Sequence, residues 1–402
     1  RYPVKEAGSL IPSAGASPKG EAHLRKDTMP KFQPFVMERM MSKWENQVDY
    51  NLSESGVHPA TVRDLVPDPG QVEDLLSTEF VYSQANGVPE LRERIAALYP
   101  GATADNVLVT VGCIEANLIT LQTLLEPGDE MAVMTPNYLQ VWGSAKNLGA
   151  SVTTFDLDPD RAWALDVDSL NRAVTEQTKL VAVCNPNNPT GRIMTSVEMD
   201  AVVAAADRVG AWLLADEVYS GAERLTDEMT PSFWGRYDKL FANNSLSKAY
   251  GLPGLRVGWI VGPPDKVDEA WARHEYTTIT APTLSHNLAT IAVSPDVRPK
   301  LLDRTRGYIR RGYPILEEWM QSHGDLFSIV PPDAAAIAFP KYRIDVNSTT
   351  FVQRLFKEKK ALVAAGDHFN VDKHLRISFG LPADYLRGGL DRIHEMFADI
   401  AD

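Results

Sequence analysis

A chain of 402 residues, 44% hydrophobic and 23% charged, has room for two or three domains at roughly 150 residues each and can bury a large core, which excludes a stapled miniprotein and a disordered polymer. Its 40 Lys and Arg against 53 Asp and Glu leave a net charge of −13, so unspecific attraction to nucleic acid or to an anionic membrane is not expected, and any bound anion needs a local site. Two cysteines, Cys113 and Cys184, supply no disulfide framework, and no run of roughly eighteen apolar residues reads as a membrane span; the expected compartment is the cytoplasm.

Residues 1–28 are rich in Gly, Ser, Pro, Ala and Lys without apolar periodicity, and Met29 is a candidate start. The expectation for 1–31 is an arm that packs on a partner subunit or an added leader. Phe35, Val36, Met40, Met41 and Trp44 recur at helical spacing, and the loop Leu52-Ser53-Glu54-Ser55-Gly56-Val57-His58-Pro59 follows. Seven short apolar runs then alternate with helical patterns, at 107–110, 130–134, 151–155, 180–184, 212–215, 240–243 and 257–261. Uniformly apolar strands separated by helices predict an α/β fold, with a mixed, mostly parallel seven-stranded sheet covered by helices on both faces. A helical stretch near 300–323 and short segments at 337–339 and 376–378 predict a smaller α+β domain towards the C-terminal end.

The strongest chemical signal is Ser245-Leu246-Ser247-Lys248-Ala249-Tyr250-Gly251-Leu252-Pro253-Gly254-Leu255-Arg256. A lysine between a strand end and a Gly-rich turn is partly desolvated, and a second cation nearby also favours its neutral amine, a nucleophile able to form a Schiff base. The planar fork of Arg256 suits a phosphate, with the Ser245 and Ser247 hydroxyls beside it. Taken alone, the segment reads as a surface lysine before a turn.

Other strand ends supply further groups. Asn188, in Asn185-Pro186-Asn187-Asn188-Pro189, follows the 180–184 run at the carboxyl edge where α/β sheets bind ligands, and its amide can donate to a phenolate; alone it is turn chemistry. Asp216 ends the next strand and can pair with a protonated ring nitrogen, keeping that ring electron-poor, or cap a helix. Tyr219 can reach the phenolate that Asn188 reaches. Gly112, Cys113 and Ile114 join the 107–110 strand to a helix whose first-turn N–H groups suit a phosphate, and Tyr138 can lay its ring over a planar ligand or pack in the core.

These motifs resemble those of pyridoxal-phosphate-dependent fold type I enzymes, in the class I/II aminotransferase group, over about residues 32–400. The resemblance implies that Lys248 carries pyridoxal 5'-phosphate, that Asp216 faces its ring nitrogen, and that Asn188 and Tyr219 contact its ring oxygen. It further implies that Ser245, Ser247, Arg256 and the Gly112-Cys113-Ile114 turn hold the phosphate, with Tyr138 stacked on the ring. Arg376, in Leu375-Arg376-Ile377-Ser378-Phe379, would clamp the substrate carboxylate, with Asn188 and Gly56 beside the substrate. Tyr82, before Gly87 and Leu91-Arg92, would reach the phosphate of a neighbouring subunit, making a homodimer with shared active sites. The implied division is 32–75 and 300–402 for the two parts of a small domain and 76–299 for a large cofactor-binding domain.

The implied reaction moves an amino group between an L-amino acid and a 2-oxo acid. The Ser53-Glu54-Ser55-Gly56-Val57 loop also bears partial likeness to the capreomycidine synthase branch, which cyclises a hydroxylated arginine; the alternative is therefore a cyclase, lyase or oxidase on arginine or hydroxyarginine. Glu54 could pair with a cationic side chain there, although a solvated loop carboxylate is the preferred reading. A regulatory protein on the same fold is disfavoured by the acidic balance and the lack of a basic helix-turn-helix segment. The eight histidines show no His-Glu-x-x-His spacing and there is no phosphate-binding Gly-x-x-x-x-Gly-Lys loop, so metal hydrolysis and nucleotide binding are not expected. Cys113 and Cys184 read as packing residues rather than nucleophiles.

Overall fold

All seven apolar runs become strands of one sheet, and an eighth extends it. In the computed structural model, which describes residues 32–401, the strands are β1 (Val107–Thr110), β2 (Glu130–Thr135), β3 (Ser151–Asp158), β4 (Ala164–Leu165), β5 (Thr178–Cys184), β6 (Trp212–Asp216), β7 (Leu240–Ser245) and β8 (Gly258–Val261). The expectation for residues 1–31 lies outside the described residues. The sheet order is β1-β8-β7-β6-β5-β2-β3-β4; neighbours from β7 through β3 pair in parallel, while β8 and β4 run antiparallel to their neighbours. The extra strand β4 is two residues long, too short to carry an apolar rhythm.

Successive residues of the central strands enter different cores, as a period of two requires. Met131, Val133, Leu180, Ala182 and Leu214 pack on one face, and Ala132, Met134, Val181, Val183, Leu213 and Ala215 on the other. Both faces are thus covered, which accounts for the uniform apolar runs. The strand β3, covered on its outer side only by the two-residue β4, alternates instead, with Phe155 and Leu157 buried and Thr154 and Asp156 exposed.

Because β1, β2, β5, β6 and β7 all point the same way, their carboxyl ends share one edge. The helix α1 (Cys113–Leu124) starts just after β1, behind Gly112 at φ +80°. Two distant parts of the chain meet outside the main sheet: Tyr50–Asn51 pairs in parallel with Ala361–Leu362, and the Ser378 N–H donates to the Leu52 carbonyl at 2.9 Å. The segment Leu375–Ser378, which carries Arg376, is flanked by Ile337–Ala338 and Ala364–Ala365, both antiparallel to it. Among the described residues no helix is long and apolar enough to cross a membrane.

Candidate active site

The carboxyl edge of the sheet opens into a cavity of about 240 Å³ lined by Lys248, Asp216, Tyr219, Asn188, Arg256 and Arg376, together with Cys113, Ile114, Tyr138, Ser245 and Ser247. Lys248 leaves β7 in a turn whose backbone is pinned twice. The Leu246 N–H donates to the Val257 carbonyl at 3.0 Å and the Leu252 N–H to the Leu246 carbonyl at 3.0 Å. The lysine side chain is 22% exposed and its Nζ lies 3.8 Å from Glu54 Oε2. Burial pulls its pKa down; the Glu54 charge opposes this and Arg376 reinforces it.

Asp216 stands at the end of β6, buried. Its Oδ2 accepts from Asn117 Nδ2 at 2.9 Å and its Oδ1 from the Val218 N–H at 3.2 Å. Burial pushes its carboxyl up, and those hydrogen bonds hold the rise in check. Next along the edge, Asn188 Nδ2 donates to Tyr219 Oη at 3.2 Å, and Arg376 Nη1 donates to Asn188 Oδ1 at 3.0 Å. Arg376 is 1% exposed; its Nη2 donates to the Ser53 carbonyl, while its Nε has no partner among the described residues. Tyr138 donates from Oη to Glu38 Oε1 at 2.7 Å and packs edge-on against Phe35.

At the start of α1 the guanidinium of Arg256 lies against Gly112. A Cβ on that glycine would sit 2.5 Å from Arg256 Nη2, and the glycine φ of +80° is one that a side chain disfavours. Arg256 itself adopts φ +51°, and its Nη1 reaches Ser247 Oγ at 3.4 Å and the Pro253 carbonyl at 3.0 Å. A helix N-terminus leaves its first N–H groups unbonded within the helix, so an exposed guanidinium, two serine hydroxyls and those amides together make an anion cradle. The donor set fits pyridoxal phosphate. There is a cradle for its phosphate, a buried carboxylate for its ring nitrogen, and an amide with a phenol for its ring oxygen. A desolvated amine is at hand for its aldehyde.

Two expected residues lie apart from this group. Tyr82 is 85% exposed, outside the cavity of its own chain. Gly56 sits behind the lysine rather than on the cavity lining; a Cβ there would lie 3.7 Å from Lys248 Cδ and 3.5 Å from the Ser247 carbonyl. The sequence reading missed Asn117, Gln140, Ser55, Met41 and Glu38, all of which line the cavity. Asn117 is the most consequential of these: its Nδ2 also donates to Gln140 Oε1 at 3.1 Å, and its Oδ1 accepts from Asn243 Nδ2 at 2.9 Å. Its one signal in the sequence is an amide four residues after Cys113, on the same buried face of α1.

The family model for aminotransferase class I and II matches residues 49–393. Capreomycidine synthase of Streptomyces vinaceus is 31% identical over 363 residues, covering 87% of this chain and 90% of that protein. Among solved structures, a PLP-dependent aminotransferase from Streptococcus suis superimposes with a TM-score of 0.86 at 29% identity, covering 92% of this chain and 99% of that one. The PLP-dependent cyclase OrfR superimposes with a TM-score of 0.82 at 27% identity, covering 92% and 98%. The chain belongs to the class I and II aminotransferase family, and its cofactor is pyridoxal phosphate.

Proposed function

We propose that the protein transfers an amino group between an L-amino acid and a 2-oxo acid. The observation that carries this reading is the sharing of one cavity by the Lys248 amine, the Asp216 carboxylate and the buried Arg376 guanidinium. When bound, pyridoxal phosphate supplies an aldehyde for the amine and an electron-poor ring that accepts charge from the substrate Cα. Lys248 holds the cofactor and, once displaced by substrate, its Nζ takes up the proton leaving Cα. Asp216 keeps a proton on the ring nitrogen, and Asn117 keeps Asp216 aimed. Asn188 and Tyr219 donate to the ring oxygen, and Tyr138 covers the ring face. Arg256, Ser245, Ser247 and the Gly112-Cys113-Ile114 turn bind the phosphate. Arg376 binds the substrate carboxylate, a role supported by its place on the cavity lining.

The same proposal extends to the larger assembly. Phe80, Val81 and Tyr82 form an exposed apolar run that suits a homodimer in which Tyr82 reaches the partner's phosphate site. Residues 32–75 and 300–402 form one domain and 76–299 the other, a division supported by the pairing of Tyr50–Asn51 with Ala361–Leu362. Two free, buried cysteines suit the cytoplasm.

A second reading, cyclisation, elimination or oxidation of arginine or a hydroxyarginine, is favoured by the likeness to a capreomycidine synthase and to a PLP-dependent cyclase. Arginine, hydroxyarginine, alanine, glutamate and aromatic amino acids assayed with and without a 2-oxo acid separate the two. Turnover that requires the oxo acid and releases a new amino acid is the expected result. Turnover of arginine or hydroxyarginine without it contradicts the transfer.

A further inference from the structure

The turn that offers amides to an anion at the start of α1 is itself held by a residue outside the cavity. Of the consecutive amides at 111–115, the Gly112 N–H donates to the Thr110 carbonyl at 2.9 Å and the Glu115 N–H to the Gly112 carbonyl at 3.2 Å. The Val111 N–H donates to Glu115 Oε2 at 2.5 Å. The N–H groups of Cys113 and Ile114 have no partner among the described residues, and these are donors that a helix start can present to a phosphate. In a capping box the third residue of a helix reaches back to the amide just before it. Glu115 is that third residue of α1, and because the Gly112 amide is already bonded it reaches one residue further, to Val111.

The other carboxylate oxygen fastens a second segment to the same place. Glu115 Oε1 accepts from Thr277 Oγ1 at 2.5 Å and from Thr278 Oγ1 at 2.8 Å, and Nδ1 of the fully buried His274 lies 3.4 Å from it. Burial works to raise this carboxyl, but the contacts with His274, Thr277 and the Val111 amide outweigh it and hold the pKa down to about 2. Glu115 is 7% exposed and takes no part in the cavity lining. We propose that Glu115 is a positioning residue for the phosphate: without touching the cofactor it occupies the Val111 amide, leaves those of Cys113 and Ile114 to the ligand, and ties the start of α1 to the segment 274–278. This rests on the reading of the Gly112-Cys113-Ile114 turn as the phosphate site.

The test compares two ligands that differ only in the phosphate. The whole chain, freed of cofactor, is titrated with pyridoxal phosphate and with pyridoxal, and the ratio of the two affinities is read from the absorbance of the bound aldehyde. Glu115→Ala is expected to lower that ratio about tenfold, with the affinity for pyridoxal held within about twofold. Thr277→Val combined with Thr278→Val, at two exposed positions, removes the hydroxyl donors and is expected to lower the ratio severalfold; it decides alone if Glu115→Ala does not fold. An unchanged ratio in either variant, or an equal loss for both ligands, overturns the inference while leaving the phosphate site in place. Arg256→Ala should lower the ratio as well, and if it does not, the reading of this turn as the phosphate site falls along with the inference.

Discussion

Asp216 is buried, takes two hydrogen bonds and makes no ion pair among the described residues, and on the proposed function its countercharge comes from the cofactor. Asp216→Ala should still take up cofactor through the phosphate cradle but lose about 100-fold or more in kcat. An unchanged rate would show that the ring nitrogen needs no partner. Asn117→Ala removes the donor to Asp216 and leaves Asn243 Nδ2 with the weaker Thr120 contact at 3.1 Å. It should cost about 1–3 kcal/mol in urea unfolding and lower kcat as well; loss of stability with full kcat would make Asn117 structural only. Asp216, Asn188 and Lys248 were legible because each lies at the end of an apolar strand or within four residues of it, a position that the one-dimensional pattern marks. Asn117 and Glu38 were not, because each acts on a residue about 100 positions away and nothing local announces an amide or a carboxylate on a helix face as functional.

Strands and helices deliver these residues to one edge, and a tight joint between them is where β8 passes the start of α1. A Cβ at Gly258 would lie 2.5 Å from the Gly112 carbonyl carbon and 2.6 Å from the Cys113 nitrogen, both backbone atoms of the cradle. Gly258→Ala must therefore push β8 and α1 apart. The expected cost is about 1–3 kcal/mol in unfolding free energy with a severalfold weaker affinity for pyridoxal phosphate, read by fluorescence titration. Full affinity would contradict the close fit of β8 under the cradle. At this scale the seven apolar runs were readable because strands buried on both faces must be apolar throughout. The two-residue elements β4 and Tyr50–Asn51 were not, since their pairing depends on partners supplied by the fold rather than on a pattern of their own.

Across the whole molecule, buried titratable groups set how folding responds to acid. His286 is fully buried, with neither ring nitrogen hydrogen-bonded among the described residues; burial, and then the nearby His274, hold its pKa down to about 4. Between about 6.5 and 4 the unfolded chain binds a proton that the folded one refuses, so this stability is complete above about 6.5 and is lost as pH falls through that window. Glu217 acts with the opposite sign: burial pushes it up to about 7, so the folded chain holds the proton and its contribution declines as pH rises from 4.5 to 7. His286→Gln should remove about 3 kcal/mol of the acid sensitivity between those two pH values, measured by urea unfolding at each. A slope identical to that of the parent protein would contradict a neutral, buried His286.

On the proposed function the sheet carries the cofactor groups and a C-terminal segment carries Arg376, and the amine at position 248 between them can be trapped directly. Purified protein loaded with pyridoxal phosphate, reduced with borohydride and digested, should yield a single pyridoxyl-modified peptide with the modification on Lys248. Absence of the adduct, or its appearance on another lysine, would contradict the assignment of this cavity as the active site.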